Sequence, residues 1–493
     1  MFGPHTSLTE SIRTNYWLYS LIGVLGALLT GYLIGTQGLV GAVVPIGLPL
    51  GLAGLVGVLV EPRLGLLLYV QLSFMLGLTR YVQVNFPAGL LIDALLTLTL
   101  LSTFLNGKRM AWHRLNHPAF YLVLGWFVYN VLELFNPEAP YRPAWFFHVR
   151  AFSMQWFMAG LIVLVVPITR QDIRWLIRSW LGWSVLAALW AFKQQYIGLT
   201  PGEVEWLNNG NAKTHVLFGQ LRSFSFYSDA AQFGAEMASV TLVCVIRLFE
   251  EKAILRRLGF LALAGVYFWG YAVSGTRSAL FVMLAGFAVY LLLKRDFLKL
   301  FIGFCLAVPL VLLLMYTSVG SGNYQVQRMR SALTPMNDPS FLLRLENQRK
   351  LAAYLDDLPF GAGIGTSADA GARFSPEHFA AQIPPDSWYV ELWIETGRVG
   401  VGIYLFMLAG LLLIGTYNAW HLRDPWLVKV MFTFLSVFAG LAVMAYSNPV
   451  FGQFPTSTLV FIYSLLFATS YRWDTPAPAP ASAVNHTPYD VLR

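Results

Sequence analysis

Long apolar runs alternate with short polar breaks along this chain, and their spacing predicts helices that cross a bilayer. Runs such as LIGVLGALLTGYLIG after Ser20 and FLALAGVYFWGYAV after Gly259 approach the roughly 20 residues such a helix needs. Applied throughout, that length predicts roughly fourteen helices, centred near Gly26, Leu48, Gln71, Thr97, Gly125, Ala159, Ala187, Met237, Gly265, Ala285, Ala307, Met407, Val437 and Tyr463. The stretch 64–105 divides in more than one way, so the expectation is an all-α, polytopic transmembrane helix bundle of about 12–14 helices. One long polar interruption remains and predicts a large extracytoplasmic loop containing amphipathic helices. The expected boundaries are a cytoplasmic N-terminus at 1–15, a bundle at 16–317, the loop at 318–396, C-terminal helices at 397–471 and a tail at 472–493.

Composition agrees with the pattern. Of 493 residues, 57% are hydrophobic and only 12% charged, where a soluble domain carries about a quarter. The net charge of +8 comes from Lys and Arg scattered over many short loops, which excludes the single basic face of a nucleic-acid-binding protein. Cys244 and Cys305 lie inside apolar runs without CxxC spacing, so neither a disulfide framework nor a metal site is indicated. The opening MFGPHTSLTESIRTNYW lacks the basic region and short apolar core of a cleaved signal, so the first helix is expected to stay as an anchor from about Tyr16. The tail DTPAPAPASAVNHTPYDVLR is rich in Pro and Ala and is expected to be a disordered cytoplasmic extension.

The scattered charges orient the chain. Basic clusters at Lys108, Arg109 and Arg114, at Arg170, Arg174 and Arg178, at Arg247, Lys252, Arg256 and Arg257, and at Lys294, Arg295 and Lys299 occupy every second loop. Because Lys and Arg concentrate on the cytoplasmic side, the N-terminus is expected inside. Arg222, Arg277 and the Val319–Thr396 segment then face outward, and an arginine-rich outer loop asks for a reason.

Arg222 opens LRSFSFYSDAAQFGAEMA where a polar loop passes into a helix. It reads either as an interfacial arginine with its head in water or as a fork donating two parallel hydrogen bonds to a phosphate. Arg277, in VSGTRSALF, sits in a tight turn between apolar helices, where Ser274, Gly275 and Ser278 permit close approach of a ligand or a neighbouring backbone. Within the loop, Arg328, Arg330, Arg344, Arg349 and Lys350 form a basic stretch. RLENQRKLAAYLDDLPF, with Leu345, Leu351, Leu355 and Leu358, reads as an amphipathic helix whose charges are either a solvated face or a substrate-binding one. In GAGIGTS, Gly363 and Gly365 allow a tight turn near a ligand, though no Walker-type Gly-Lys-Ser follows. In PPDSWYVELWIETGRVG, Asp386 or Ser387 can cap the following helix; Asp386 also fits a general base beside arginines, and Trp388 and Tyr389 fit sugar stacking. Asp93, Glu133, His148, Arg150, Asp229 and Glu236 are ionisable groups in or near apolar runs, and Asp229 and Glu236 share a helix face suited to an arginine partner or a polar cavity.

Taken in order, RSFSFYSDAAQFG, SGTRSAL, an arginine-bearing loop helix, PFGAGIGTS and DSWYVELWIETGRVGVGIYL resemble the O-antigen ligase and O-antigen polymerase superfamily of bacterial envelope glycosyltransferases, over roughly Leu221 to Leu405. The resemblance implies transfer of a glycan from undecaprenyl diphosphate at the outer face of the cytoplasmic membrane, with no metal or other cofactor and no nucleotide sugar. It implies that Arg222 and Arg277 hold the pyrophosphate and that Arg344 assists. Ligases of the family typically carry a histidine where this chain has Asp386, which favours polymerisation of exopolysaccharide, capsule or O-antigen units; His378 or His215 are alternative bases. The competing readings are ligation of finished glycan to lipid A core or protein, a transporter or flippase for a lipid-linked sugar, and a non-catalytic scaffold. Implied partners are the lipid-linked donor, a glycan acceptor, the lipid bilayer, a chain-length regulator and a flippase.

Overall fold

The structure is a computed structural model and describes residues 40–78, 89–217, 219–317 and 339–474, with a few separate positions between 24 and 36 and between 322 and 336. The expected N-terminal segment 1–15, the helix start at Tyr16, Arg328 and the tail beyond 474 lie outside the described residues. Helices dominate; the two-residue antiparallel pairing of Val216–Leu217 with Gln220–Leu221 is the one strand pair among the described residues. Every expected centre from Leu48 to Tyr463 falls inside a helix. Among the described residues, six helices are long and apolar enough to cross a membrane: Pro118–Phe135, Ala144–Val165, Arg170–Ile197, Ala230–Glu250, Trp388–His421 and Pro425–Met444.

Ala230–Glu250 and Pro425–Met444 are each 78% buried, against 33% for Trp388–His421, so the first two form the middle of the bundle and the third turns much of its surface outward. The central helices carry hydroxyls, and these are satisfied within their own turns: Ser239 donates to the Ala235 carbonyl, Thr433 to Lys429 and Ser436 to Phe432. Where water is absent, such local bonding lets a polar side chain sit in the core without demanding a partner helix. Leu280–Leu293 crosses Pro425–Met444 closely because Gly286 lies against the Ser436 carbonyl and Gly440 against that of Val282; a Cβ at either would come within 2.7 or 2.4 Å.

The four basic clusters gather at one end of the bundle. Arg170 pairs with Asp424 at 2.7 Å. Glu250 takes Lys294 at 2.6 Å and Lys429 at 3.6 Å. The Ala111 amide donates to the Val165 carbonyl and the Trp420 indole to that of Leu293. Arg472 donates to the Val163 and Val166 carbonyls, and the Trp473 indole to Ile168, so these two residues of the expected tail are tied to the bundle.

At the other end, Trp388–His421 is broken at Gly397, whose φ of 64° and ψ of −173° leave the helical region. The break releases two carbonyls and an amide that other segments then satisfy. The Ile394 carbonyl accepts from the Ala362 amide at 2.7 Å, Thr396 from the Tyr129 hydroxyl at 2.7 Å, and Pro359 from the Val399 amide at 3.2 Å. Gly361, at φ 76°, fits only because it too lacks a Cβ, which would sit 2.5 Å from the Gly397 nitrogen. Replacing Gly397 or Gly361 by Ala should cost at least about 1–2 kcal/mol from the left-handed conformation alone. A thermal-unfolding midpoint equal to that of the unchanged protein for both variants would contradict this packing.

Candidate functional site

The turn carrying Arg277 is built from small residues. Ile254–Ser274 ends at Gly275, left-handed at φ 60°, and a short 3-10 turn, Arg277–Ala279, opens the next helix. The close approach expected here is made by neighbouring backbone. Thr276 Oγ1 donates to the Ala230 carbonyl at 2.9 Å, and Gly234 lies so near Ser274 that a Cβ would come within 2.5 Å of its hydroxyl. Arg222 joins the same turn: its guanidinium donates to the Ser274 carbonyl at 3.0 Å, the Thr214 carbonyl at 2.8 Å and Thr276 Oγ1 at 3.0 Å. Arg222 therefore braces the 214–222 hairpin against the turn that presents Arg277, in addition to bringing its charge there.

The short helix Pro201–Trp206 that leads toward that hairpin is anchored through Glu203. Glu203 accepts from Lys193 Nζ at 2.6 Å, from Gln194 Nε2 at 2.7 Å, from the Trp190 indole at 2.9 Å and from the Thr200 amide. Burial alone would raise its pKa, but Lys193 and these donors outweigh burial and hold the carboxyl at about 2.

Asp386 lies across the site. Ser387 is the N-cap of Trp388–His421, accepting from the Val390 amide at 3.5 Å, which resolves the choice between the two capping candidates. Relieved of capping, Asp386 adopts a left-handed φ of 50°, a conformation Asp tolerates better than most residues, and faces Arg344 Nε at 3.7 Å. Arg344 shares a face of Pro339–Leu355 with Gln348, Leu351 and Leu355; the two leucines pack with Ile383, Val390 and Ile394, so the amphipathic helix lies on the bundle as its pattern predicted. Beside this pair opens a cavity of about 340 Å³ lined by Gln348, Ser387, Tyr389, Trp393, Arg398 and Tyr446.

The turn that follows Pro425–Met444 joins the cavity to the Arg277 turn through hydrogen bonds at its two ends. The Ser387 hydroxyl and the Trp388 amide donate to the Ala445 carbonyl at 3.3 and 3.1 Å, and Asn448, three residues on, donates from Nδ2 to Ser278 Oγ, next to Arg277. Tyr446 and Asn448 carried no signal in the sequence, since the turn after Met444 reads as an ordinary polar connection.

Other expectations are revised by burial. Trp388, expected to face outward, is 2% exposed and packs on Phe152 at 5.0 Å, so it supports the site from within. Gly363 and Gly365, at φ 91° and 90°, approach Ala139 and Ala144 of this chain. Their turn cradles Glu395, which accepts from the Gly365 amide at 3.0 Å, the Ser367 amide at 3.1 Å and the Ser367 hydroxyl at 2.7 Å. His148 Nε2 lies 3.1 Å from Glu391 and 3.5 Å from Glu395. By spacing this trio could hold a cation, but Glu395 already receives three donors and the arrangement serves as an internal clamp between the Ala144–Val165 helix and the loop. Glu391 and Glu395 were legible only as an i, i+4 pair.

The remaining candidates have structural partners. Arg150 pairs with Asp93 at 3.1 Å, and Glu133 accepts from Asn136 at 2.7 Å. Asp229 and Glu236 find no arginine among the described residues: Asp229 caps its helix and receives Gln453, and Glu236 receives the Trp180 indole. His215 Nε2 accepts from the Ala230 amide, and its Nδ1 meets the Asn211 carbonyl at 3.0 Å, which removes it as a base. His378 accepts from the Ala380 amide and meets the Tyr354 hydroxyl, and burial lowers its pKa. Arg349 lies on the exposed face of the loop helix.

Residues 258–405, which contain Arg277, Arg344, Asp386 and Gly397, match the family model described as O-antigen ligase. That match supports the O-antigen ligase and polymerase superfamily for this segment. The six long apolar helices fit a multi-pass membrane protein, and the matched segment supports O-antigen ligase-type glycosyl transfer between a lipid-linked glycan and an acceptor. Arg222 and His148 lie outside the matched segment. Comparison with curated proteins finds no match.

Two outcomes follow from this geometry. The folded pKa of Glu203 lies below its unfolded value, so its contribution is present above about pH 4.5 and is lost as pH falls toward 2. Protease cutting of the 201–222 segment should rise across that window, and a Glu203→Gln variant should be cut readily even at pH 7. Ser387→Ala removes a helix cap and should cost about 1 kcal/mol, read as a lowered thermal midpoint, whereas Asp386→Asn, which keeps a residue suited to the left-handed backbone, should leave that midpoint nearly unchanged.

Proposed function

We propose that the chain polymerises glycan repeat units carried on undecaprenyl diphosphate, at the extracytoplasmic face of the bacterial cytoplasmic membrane, with its N-terminus inside. The observation that carries this reading is the placement of Asp386: relieved of capping by Ser387, it stands beside Arg344 at a cavity linked through Ala445 and Asn448 to the Arg277 turn. A carboxylate and two or three guanidinium groups at one membrane surface are what a displacement at an anomeric carbon requires.

In the proposed reaction an acceptor hydroxyl loses its proton to Asp386 while its oxygen bonds to the anomeric carbon of the donor. The bond from that carbon to the diphosphate breaks, and undecaprenyl diphosphate leaves with the electron pair. Arg277, oriented by the turn that Arg222 braces, lies where negative charge grows on the leaving group, and Arg344 both orients Asp386 and adds positive potential. Arg349 and Arg328 would attract the anionic donor to the loop. The arginines supply the positive charge that a divalent ion would otherwise bring, so transfer is proposed to proceed without a metal. A carboxylate as base favours polymerisation over ligation to lipid A core or protein; transport is disfavoured because Glu236 and Asp229 are consumed by local bonds.

Arg277→Ala should lower elongation on the order of 10²–10³-fold, with single lipid-linked repeats accumulating in a membrane assay. Asp386→Asn should lower turnover while leaving donor binding near its original value; unaltered polymer length in both variants would sink the assignment. Elongation should persist in EDTA, and restoration by added magnesium after a chelator-induced loss would assign the charge to a metal instead.

A further inference from the structure

The end of the bundle opposite the candidate site holds a second cavity, of about 340 Å³, between Arg170–Phe192, Ala230–Glu250, Ile254–Ser274 and Pro425–Met444. Three arginines, Arg174, Arg178 and Arg247, line it together with Phe260, Leu181 and Trp426. Arg174 lies over the Trp426 ring at 4.9 Å and Arg247 over Phe260 at 5.8 Å, so two of the guanidinium groups are held in orientation by aromatic faces.

Several neighbouring cations have carboxylate partners, whereas among the described residues none of these three has a carboxylate within 4 Å, and the nearest influence is that of Arg247 on Glu251. Arg170 takes Asp424 at 2.7 Å, Arg63 takes Glu61 at 3.1 Å, and Lys294 takes Glu250 at 2.6 Å. The carboxylates nearby are already engaged. Asp172 closes a capping box with Thr169, Asp424 also caps Trp426 and Leu427, Glu250 binds Tyr290 and two lysines, and Glu251 accepts from the Lys252 and Ala253 amides. The cavity therefore keeps a surplus of positive charge at a polar mouth, above a wall of Leu181, Val243, Val430 and Phe434. A volume in the range of small-ligand sites, fixed guanidinium forks and an apolar floor fit an amphiphile with an anionic head.

We propose that this cavity binds a phosphate-bearing anion, presented by an acidic membrane lipid whose acyl chain lies along the apolar wall. The site is separate from the transfer site and does not depend on the function proposed for it. Full-length protein in nanodiscs of phosphatidylcholine with phosphatidylglycerol, released and weighed as intact complexes, should retain phosphatidylglycerol selectively. The triple variant Arg174→Gln, Arg178→Gln, Arg247→Gln should bind it on the order of 100-fold more weakly. A variant with Lys252→Gln, Arg256→Gln and Arg257→Gln, which strips equal charge from the adjoining loop, should keep the selectivity. Arg178→Gln alone, at roughly fivefold weaker binding, serves if the triple variant does not fold. Should inorganic phosphate in lipid-free detergent raise the thermal midpoint of the unchanged protein but not of the variants, the anion site stands and its source is soluble. Equal retention of both lipids by the unchanged and cavity-variant proteins, or equal loss in the loop variant, overturns the proposal.

Discussion

A bilayer offers no water to an unpaired backbone group, so a helix broken near the membrane surface must hand its freed carbonyls to other segments. The break at Gly397 does this with the 359–367 segment and Tyr129, and the contact of Gly361 with Gly397 is tight enough that neither position accepts a side chain. Much of this end of the bundle follows from that contact. It sets the Trp388–Thr396 part of the helix as a floor on which the loop helix packs through Leu351 and Leu355, and it brings the Gly363–Ser367 turn around Glu395.

Charge is divided between the two ends by different means. At the end with the four basic clusters, most cations are neutralised in pairs or rest on aromatic rings, which ties successive loops together. At the other end Arg222 is held by backbone oxygens and Arg344 is set beside the half-exposed carboxylate of Asp386. Guanidinium groups gathered near one surface favour an anionic substrate there, and this is the electrostatic basis of the functional reading.

The site also separates structural from chemical carboxylates. Glu395 and Glu391 are drawn inward and joined to His148, while Asp386 stands outside the cap and is 40% exposed at its side chain. Ser387 makes that separation possible, because one residue satisfies the helix start and its neighbour is freed to face solvent.

Hydrophobic spacing by itself determined the helix bundle, the approximate centre of each helix and the amphipathic nature of the loop helix, because a spanning length and a 3.6-residue period are local properties that the bilayer enforces on each segment. The same local rules marked Arg222, Arg277 and Asp386 as exceptions, since a charge flanked by apolar runs is visible in one dimension. Tertiary structure alone decided what each exception faces. Arg222 turned to the carbonyls of Ser274 and Thr214, Trp388 turned inward to Phe152, and the glycine turn closed on Glu395 instead of opening to a ligand. Those outcomes depend on contacts between segments far apart in the chain, such as Tyr129 with Thr396 and Asn448 with Ser278, and no window of sequence contains both partners.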